Sequence, residues 1–455
     1  MINHTMNKLK SRKLLSITLV AVQIFVFSIS SAFAQGGERI TLQQAVDNAL
    51  ANNLQIKQAQ FQSSITEENL KQSKFEMYPN VTSSGSANRQ YGLFFDNQTG
   101  SLINTSVDQV NGRLNSNVLL FNGGSLINQI KQNKSLLMSD KSNIEKVKND
   151  LSLNVVTTFL SIVNNRDLLK ASQQQLDLSK QQLEVAQRNF DVGNNTQADL
   201  SQAKAQVATN ELNITNADNA YQLSMLNLKQ LMEMDSEKQI DVILPAIEDV
   251  SLIENKYSSF DVYSKAITNY PDIKAVSYNT EAFKYGVKVA KGNLYPTLGF
   301  GGGLSSGYSS ANPLSFSSQF TDNNFGQFLG FNLSIPIFNN YRSRSQYNIA
   351  KIRYENAKAS EQLTKNNLNK VISQAVLDLK SAIKSYSATQ SAFNSSKEAF
   401  NVIKQRYEVG LVSVIELNTS QTNYNKAEFD FIQAKYNVIF RSKVIDFYLG
   451  NPLTL

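Results

Sequence analysis

The chain of 455 residues has no cysteine, and its one histidine is His4, close to the start. Cysteine supplies thiolate nucleophiles, disulfides and the acylation site of lipid-anchored proteins. Histidine supplies many general bases and transition-metal ligands. Without them these classes of chemistry drop out together, and with them a lipid anchor on an N-terminal cysteine. No GxxxxGK[ST] phosphate loop occurs, so nothing marks a nucleotide-hydrolysing site. No isolated carboxylate pair stands in an aromatic-rich segment of the kind a glycosidase uses. The residues therefore point away from an enzyme and offer no cofactor or metal site. Glycine and proline are missing over two long stretches, Ser125 to Val192 and Arg342 to Val409, each of 68 residues. Either stretch, as a single helix, would reach about 100 Å at a rise of about 1.5 Å per residue.

What is present at the start is a leader pattern. Lys8, Lys10, Arg12 and Lys13 precede an apolar run from Leu14 to Ile29 and the small-residue triplet Ala32-Phe33-Ala34. That order predicts a secretory signal peptide over residues 1–34. Its removal takes four basic and no acidic residues, so 44 Lys+Arg against 37 Asp+Glu becomes 40 against 37. The remaining excess is small and scattered, which excludes nucleic acid as a partner.

The chain is an internal duplication. Tyr78-Pro79 recurs as Tyr295-Pro296, an offset of 217 residues, and the same offset places Phe121-Asn122 on Phe338-Asn339 and Val192-Gly193 on Val409-Gly410 without a gap. The expected organisation is a first repeat over 35–238, a linker over 239–258 and a second repeat over 259–455. Each repeat should carry one helical stretch, two strands and a long helical hairpin. The hairpins are expected at 125–232 and 342–449, and the strands at 81–92, 110–121, 297–308 and 327–338.

Apolar residues in the long stretches recur every seven positions. Ile130, Leu137, Ile144 and Leu151 form one stripe, which shifts by four residues to Val155, Ile162, Leu169, Leu176, Leu183 and Phe190. The second repeat follows with Ile372, Leu379, Tyr386, Phe393, Phe400 and Tyr407. A seven-residue period keeps one seam against a partner helix, so these are coiled-coil hairpins. A periplasmic coiled-coil spacer or adhesin without a conducting lumen would share the stripes. The strand segments separate the two readings. In the last, Leu329, Phe331, Leu333, Ile335 and Ile337 alternate with Phe328, Gly330, Asn332 and Ser334. One apolar and one smaller, more polar face is the pattern of a membrane strand. Four strands cannot close a spanning barrel and open edges are not tolerated in lipid, so the barrel must be shared among two, three or four protomers. Tyr78, Pro79, Phe121, Tyr295, Pro296 and Phe338 should mark the junction of helices and barrel, with the prolines stopping the incoming helices. Segments 93–109 and 309–325 read as long polar loops.

The stretches ITLQQAVDNALANNLQIKQA, YPNVTSS, LLFNGGSLINQI and RNFDVGNNTQADL in the first repeat, then AITNYPDIKAVSYN, AKGNLYPTLGF, IPIFNNYRSR and QRYEVGLVSVIEL in the second, resemble the TolC-like outer-membrane efflux protein family. The resemblance covers both repeats. It implies a mainly α fold with a membrane β portion: a homotrimer with a twelve-stranded β-barrel in the outer membrane and a helical tunnel through the periplasm. The partners it implies are a periplasmic adaptor (membrane fusion) protein and an inner-membrane pump or ATP-driven exporter. The implied function is the exit duct of an efflux or type I secretion system.

By the same resemblance, the turns DVGNNTQADL and EVGLVSVIEL form the periplasmic entrance. Val192, Gly193, Thr196, Leu200, Val409, Gly410, Ser413 and Leu417 would dock the adaptor, while Asp199 and Glu416 would narrow the aperture. The residues also carry a local reading. Gly193 and Gly410 suit the left-handed position that ends a helix. Thr196 and Ser413, each followed three residues later by an acid, fit N-caps of capping boxes.

Overall fold

The structure, a computed structural model, describes residues 38–96, 100–243, 250, 253 and 257–451. The expected signal peptide and His4 lie outside the described residues. In chain order the first repeat holds β1 (Glu38–Ile40), α1 (Leu42–Asn52), α2 (Leu54–Phe75), β2 (Asn80–Asp96), β3 (Ser101–Asn122), α3 (Ser125–Asp191) and α4 (Gln197–Leu231). Then come β4 (Ile240–Val242), α5 (Ser259–Asn269), α6 (Pro271–Gly292), β5 (Thr297–Ser309), a π-helical turn (Ser318–Asn323), β6 (Gly326–Ser334), α7 (Arg342–Glu408) and α8 (Val414–Leu449). Among the described residues no helix is long and apolar enough to cross a membrane. The chain divides into two units, and α3 and α7, of 67 residues each, contribute to both.

One unit comprises residues up to Leu54, Asn149–Ser258 and Gln374–Leu455. Its core is the seven-residue stripe: Leu151, Val155, Ile162 and Leu176 of α3, Leu200 and Leu228 of α4, Leu379 and Phe400 of α7, and Leu417, Val438 and Ile445 of α8 are all buried. Burial of each such side chain stabilises by roughly 1.5–3 kcal/mol, far more than a surface ion pair of about 0–1 kcal/mol, so the seam sets the fold. Polar side chains fix its register. Asn210 Nδ2 donates to the Gln175 carbonyl at 3.3 Å and Asn165 Nδ2 to the Ala220 carbonyl at 3.1 Å, which is a single antiparallel alignment of α3 with α4. Gln175 Nε2 to Glu428 Oε2 at 3.3 Å and the Tyr436 hydroxyl to Asp167 Oδ2 at 2.5 Å do the same for α3 and α8. Burial and the Asp167 carboxylate both push the Tyr436 hydroxyl above its usual pKa.

The two hairpins differ in what fills the seam. Between α7 and α8, rings stack: Phe393 on Phe431 at 5.3 Å, Phe400 on Tyr424 at 5.5 Å and Tyr386 on Phe431 at 5.5 Å. The equivalent positions of the first repeat are Leu169, Leu176, Leu183, Val207 and Ile214, all aliphatic. The segment expected as a linker over 239–258 contains β4, which pairs in parallel with β1, Ile40 opposite Val242. Two buried apolar side chains, Ile40 and Val242, drive that pairing between segments some 200 residues apart in sequence.

The other unit comprises Gln55–Lys148 and Ser259–Ser373 and carries an antiparallel sheet in the order β2-β3-β5-β6. The outer edges of β2 and β6 have no strand partner among the described residues. Register puts Val81, Leu114, Val118, Leu298, Phe300, Leu304, Leu329, Phe331 and Leu333 on one face. Asn80, Asn111, Asn115, Asn117, Gly301, Gly303, Gly330 and Asn332 share the other. The apolar face is open: Leu329 is 79% and Phe331 72% exposed. A soluble sheet would bury such a face.

The strands differ from their pattern-based spans in three places. Segment 93–109, expected as a polar loop, is mostly strand: β2 runs on to Asp96 and β3 resumes at Ser101, because apolar cross-strand pairs, Phe94 with Ile103 and Phe95 with Leu102, and the Arg89–Asp108 ion pair extend the ladder. β6 ends at Ser334, since Pro336 has no N–H to continue a ladder. Segment 309–325 is not merely polar loop either, for its π-helical turn folds onto the sheet. There the fully buried Gln319 amide donates to the carbonyls of Ser309, Asn312 and Leu314 at 3.1, 3.2 and 2.7 Å.

Candidate functional site

The α3–α4 and α7–α8 turns are built alike. Gly193 takes φ +79° and Gly410 φ +76°. The Gly193 N–H donates to the Phe190 carbonyl at 2.9 Å and the Asn194 N–H to the Asn189 carbonyl at 2.8 Å. Gly410 to Tyr407 and Leu411 to Arg406, both at 2.9 Å, repeat the pattern. These paired bonds form a Schellman motif, which satisfies the last carbonyls of a helix and requires the left-handed residue. Open space surrounds both glycines, so φ alone selects them. Beyond each turn Leu200 and Leu417 are buried, whereas Val192, Val409, Leu411 and Ile415 are exposed. Each turn thus pins its returning helix from within and leaves an apolar rim outside.

The two acids are held differently. Asp199 Oδ2 accepts from the Thr196 N–H at 2.9 Å and from the Thr196 hydroxyl at 2.7 Å, while the Asp199 N–H returns a bond to Thr196 Oγ1 at 3.2 Å. The box is complete, and the bonds from Thr196 lower the Asp199 pKa. In the second repeat the Glu416 N–H donates to Ser413 Oγ at 3.3 Å, and no bond returns from the Glu416 carboxylate to the backbone of Ser413. The spacing of these residues in the sequence is the same; only the geometry separates a bound carboxylate from a free one.

At the junction, Pro79 and Pro296 stand directly before or at the start of β2 and β5, and Tyr78 and Phe121 are exposed, as are Tyr295 and Phe338. A register shift between Leu119 and Phe121 brings Phe121 opposite Leu298. The sequence reading did not single out the backbone here. Gly123 and Gly124 take φ +65° and +77°, and their equivalents Asn340 and Tyr341 take +54° and +64°. A Cβ on Gly123 would stand 2.5 Å from the Gly292 carbonyl oxygen and 2.9 Å from its Cα. Two chain reversals therefore cross at glycine contact distance. The signal was available in the doublet Gly123-Gly124, which the second repeat replaces by Asn340-Tyr341. Nearby, Gln72 of α2, Glu76 just beyond it and the sheet residues Asn80, Asn117, Gly301 and Asn332 line a cleft of about 850 Å³.

Comparison with known proteins decides what this assembly of parts is. The family described as Outer membrane efflux protein matches residues 45–232 and 262–451, which is one match per repeat. The chain belongs to that family. It is an outer-membrane efflux channel whose helical part lies in the periplasm. It is similar to the outer membrane efflux protein BepC of Brucella suis biovar 1 (strain 1330), with 22% identity over 404 residues, 88% of this chain and 83% of that one. It is 24% identical to the outer membrane protein TolC of Escherichia coli (strain K12) over 321 residues, 66% of this chain and 61% of TolC. Among solved structures, the Campylobacter jejuni CmeC outer membrane channel matches with a TM-score of 0.79 at 21% identity, over 90% of this chain and 85% of that one. The open state of the Neisseria gonorrhoeae MtrE outer membrane channel matches with a TM-score of 0.73 at 17% identity, over 91% of this chain and 89% of that one. Membership of this family accounts for a sheet with an apolar face turned outward and two unpaired edges.

Proposed function

We propose that three copies of this chain form a passive exit duct, four strands from each closing one barrel of twelve, with no catalysis of its own. The observation that carries this reading is the four-stranded sheet with its open edges β2 and β6 and its exposed apolar face. In lipid such edges must be paired, and pairing β6 of one copy with β2 of the next does so by symmetry. Energy would come from an inner-membrane pump or ATP-driven exporter, joined through a periplasmic adaptor.

The adaptor would dock at the two turns, through Val192, Gly193, Thr196 and Leu200 and through Val409, Gly410, Ser413 and Leu417. The turns are not equivalent. Asn194-Asn195 in the first stands where the second has Leu411-Val412, and Leu411 is exposed. The second groove can bury apolar surface and is the tighter adaptor site. Glu416 narrows the aperture, because its carboxylate is not consumed by a capping box, and Asp199 caps α4 instead. Planar-bilayer conductance of the purified protein, alongside its mass in detergent, tests the duct. Discrete steps from a trimer are expected. A monomer or dimer silent in both the native and Glu416→Ala forms would replace the duct with a coiled-coil spacer.

A further inference from the structure

The duct reading leaves unused a band of exposed lysines on the helices next to the sheet. Lys71 and Lys74 of α2 and Lys288 and Lys291 of α6 occupy equivalent positions in the two repeats, and Lys131 and Lys134 of α3 stand about two and a half and three and a third turns beyond the end of β3. All six are exposed. Their side of the wall can be worked out. Gln72 and Glu76 line the cleft with Asn80, Asn117 and Asn332 of the polar sheet face. Phe75 lines the cleft as well; at about 100° per residue, Lys74 is turned about 160° from both Gln72 and Glu76 and about 100° from Phe75, while Lys71 is about 100° and 140° from the first two and about 40° from Phe75. Lys74 thus points away from the polar face and Lys71 toward its flank, and the duplication gives Lys291 and Lys288 the corresponding directions. Lys131 joins them: its Nζ and that of Lys288 lie 5.9 and 5.2 Å from the centroid of one ring, Tyr285. The acids nearby are Glu67 and Glu68, the latter 2.7 Å from Lys71, and Glu76 on the polar side.

Level matters as much as direction. Lys74 and Lys291 each precede the first residue of their strand by six positions and lie in the last helical turn. Lys71 and Lys288 are one turn, about 5 Å, further down. The interfacial layer beyond the hydrocarbon core is about 5–8 Å deep on each side, and lysine stems carry their charge toward it.

We propose that this band binds the headgroups of anionic phospholipids in the periplasm-facing leaflet of the membrane that holds the barrel. The proposal rests on the barrel reading above. Cations at headgroup depth concentrate anionic lipid and hold the barrel at a set height, an attraction that salt screens.

The test uses the full protein reconstituted into phosphatidylethanolamine vesicles containing phosphatidylglycerol, with spin-labelled lipids of each headgroup reporting the boundary layer. The expected result is a roughly three- to fivefold preference for the phosphatidylglycerol label, reduced by salt. It should fall by more than half in the variant Lys71→Gln, Lys74→Gln, Lys288→Gln, Lys291→Gln, which keeps Lys131 and Lys134, and persist when Lys180, Lys204, Lys380 and Lys384 are changed to Gln instead. Equal preference in both quadruple variants would overturn the proposal. A protein with no motionally restricted lipid at all would overturn the barrel reading, a failure distinct from boundary lipid without headgroup preference, which overturns the lysine band alone.

Discussion

Gly123→Ala tests the junction most sharply, because three other glycines provide its controls. All four residues have a left-handed φ: Gly123 +65°, Gly124 +77°, Gly193 +79° and Gly410 +76°. Alanine there costs roughly 1–2 kcal/mol from backbone sterics alone. Around Gly193 and Gly410 an added Cβ meets nothing within 4 Å, and at Gly124 the nearest atom is 3.7 Å away. At Gly123 it meets the backbone of Gly292 at 2.5 and 2.9 Å, and backbone cannot rotate aside as a side chain can. Forcing the two segments apart adds roughly 1–3 kcal/mol, as overpacking does in cores. Gly123→Ala should therefore lose about 2–5 kcal/mol and the other three about 1–2 kcal/mol each. The assay is the thermal midpoint in detergent, followed by far-ultraviolet circular dichroism, with the fall for Gly123→Ala about one and a half to four times that for Gly124→Ala. Equal shifts for those two variants would refute the close crossing. The second repeat supplies the converse: Asn340→Gly should be neutral or stabilising by up to about 1 kcal/mol, since it relieves a left-handed non-glycine residue.

Three further outcomes are expected. Glu416→Ala should raise single-channel conductance and weaken block by divalent cations, whereas Asp199→Ala should leave conductance nearly unchanged and fray α4, visible as faster amide exchange in its first turn. The stabilisation from Asp199 has a defined pH window: its carboxyl titrates below the ordinary value of about 3.9, so its contribution is complete above that value and is lost as pH falls through the lower, folded one. Amide protection in the first turn of α4, taken relative to the intrinsic exchange rate at each pH, should fall at acid pH in the native protein, and that fall should be absent from Asp199→Asn. Gln421 is buried with neither side-chain amide atom hydrogen-bonded, so Gln421→Leu should raise the thermal midpoint by an amount corresponding to about 1–3 kcal/mol; a fall would show that the amide finds a partner in the assembled protein.

The long helices and their turns were legible because their signals are local. A seven-residue stripe, the glycines at 193 and 410 and the caps at 196 and 413 each lie within a few residues of what they determine. The β1–β4 pair was not legible, since three-residue strands from distant segments carry too little pattern to be seen. The distal halves of β2 and β3 escaped for another reason: Leu93, Phe94 and Phe95 stand together, as do Leu102 and Ile103, so no alternation of apolar and polar residues marks a strand there. At the candidate aperture, sequence located Asp199 and Glu416 at equivalent positions. It could not show that one carboxylate is bound and the other unbound, because that difference lies in side-chain rotamers.

The unpaired edges of β2 and β6 also have a genetic consequence. In the proposed ring of three an edge on one copy is answered only by a neighbour, so a single defective seam would leave the circle open. A chain with a damaged β6, expressed at parity with the normal one, would leave only about one ring in eight wholly normal under random mixing. Such an allele should be dominant over the normal copy, while an allele that abolishes the chain altogether should be recessive.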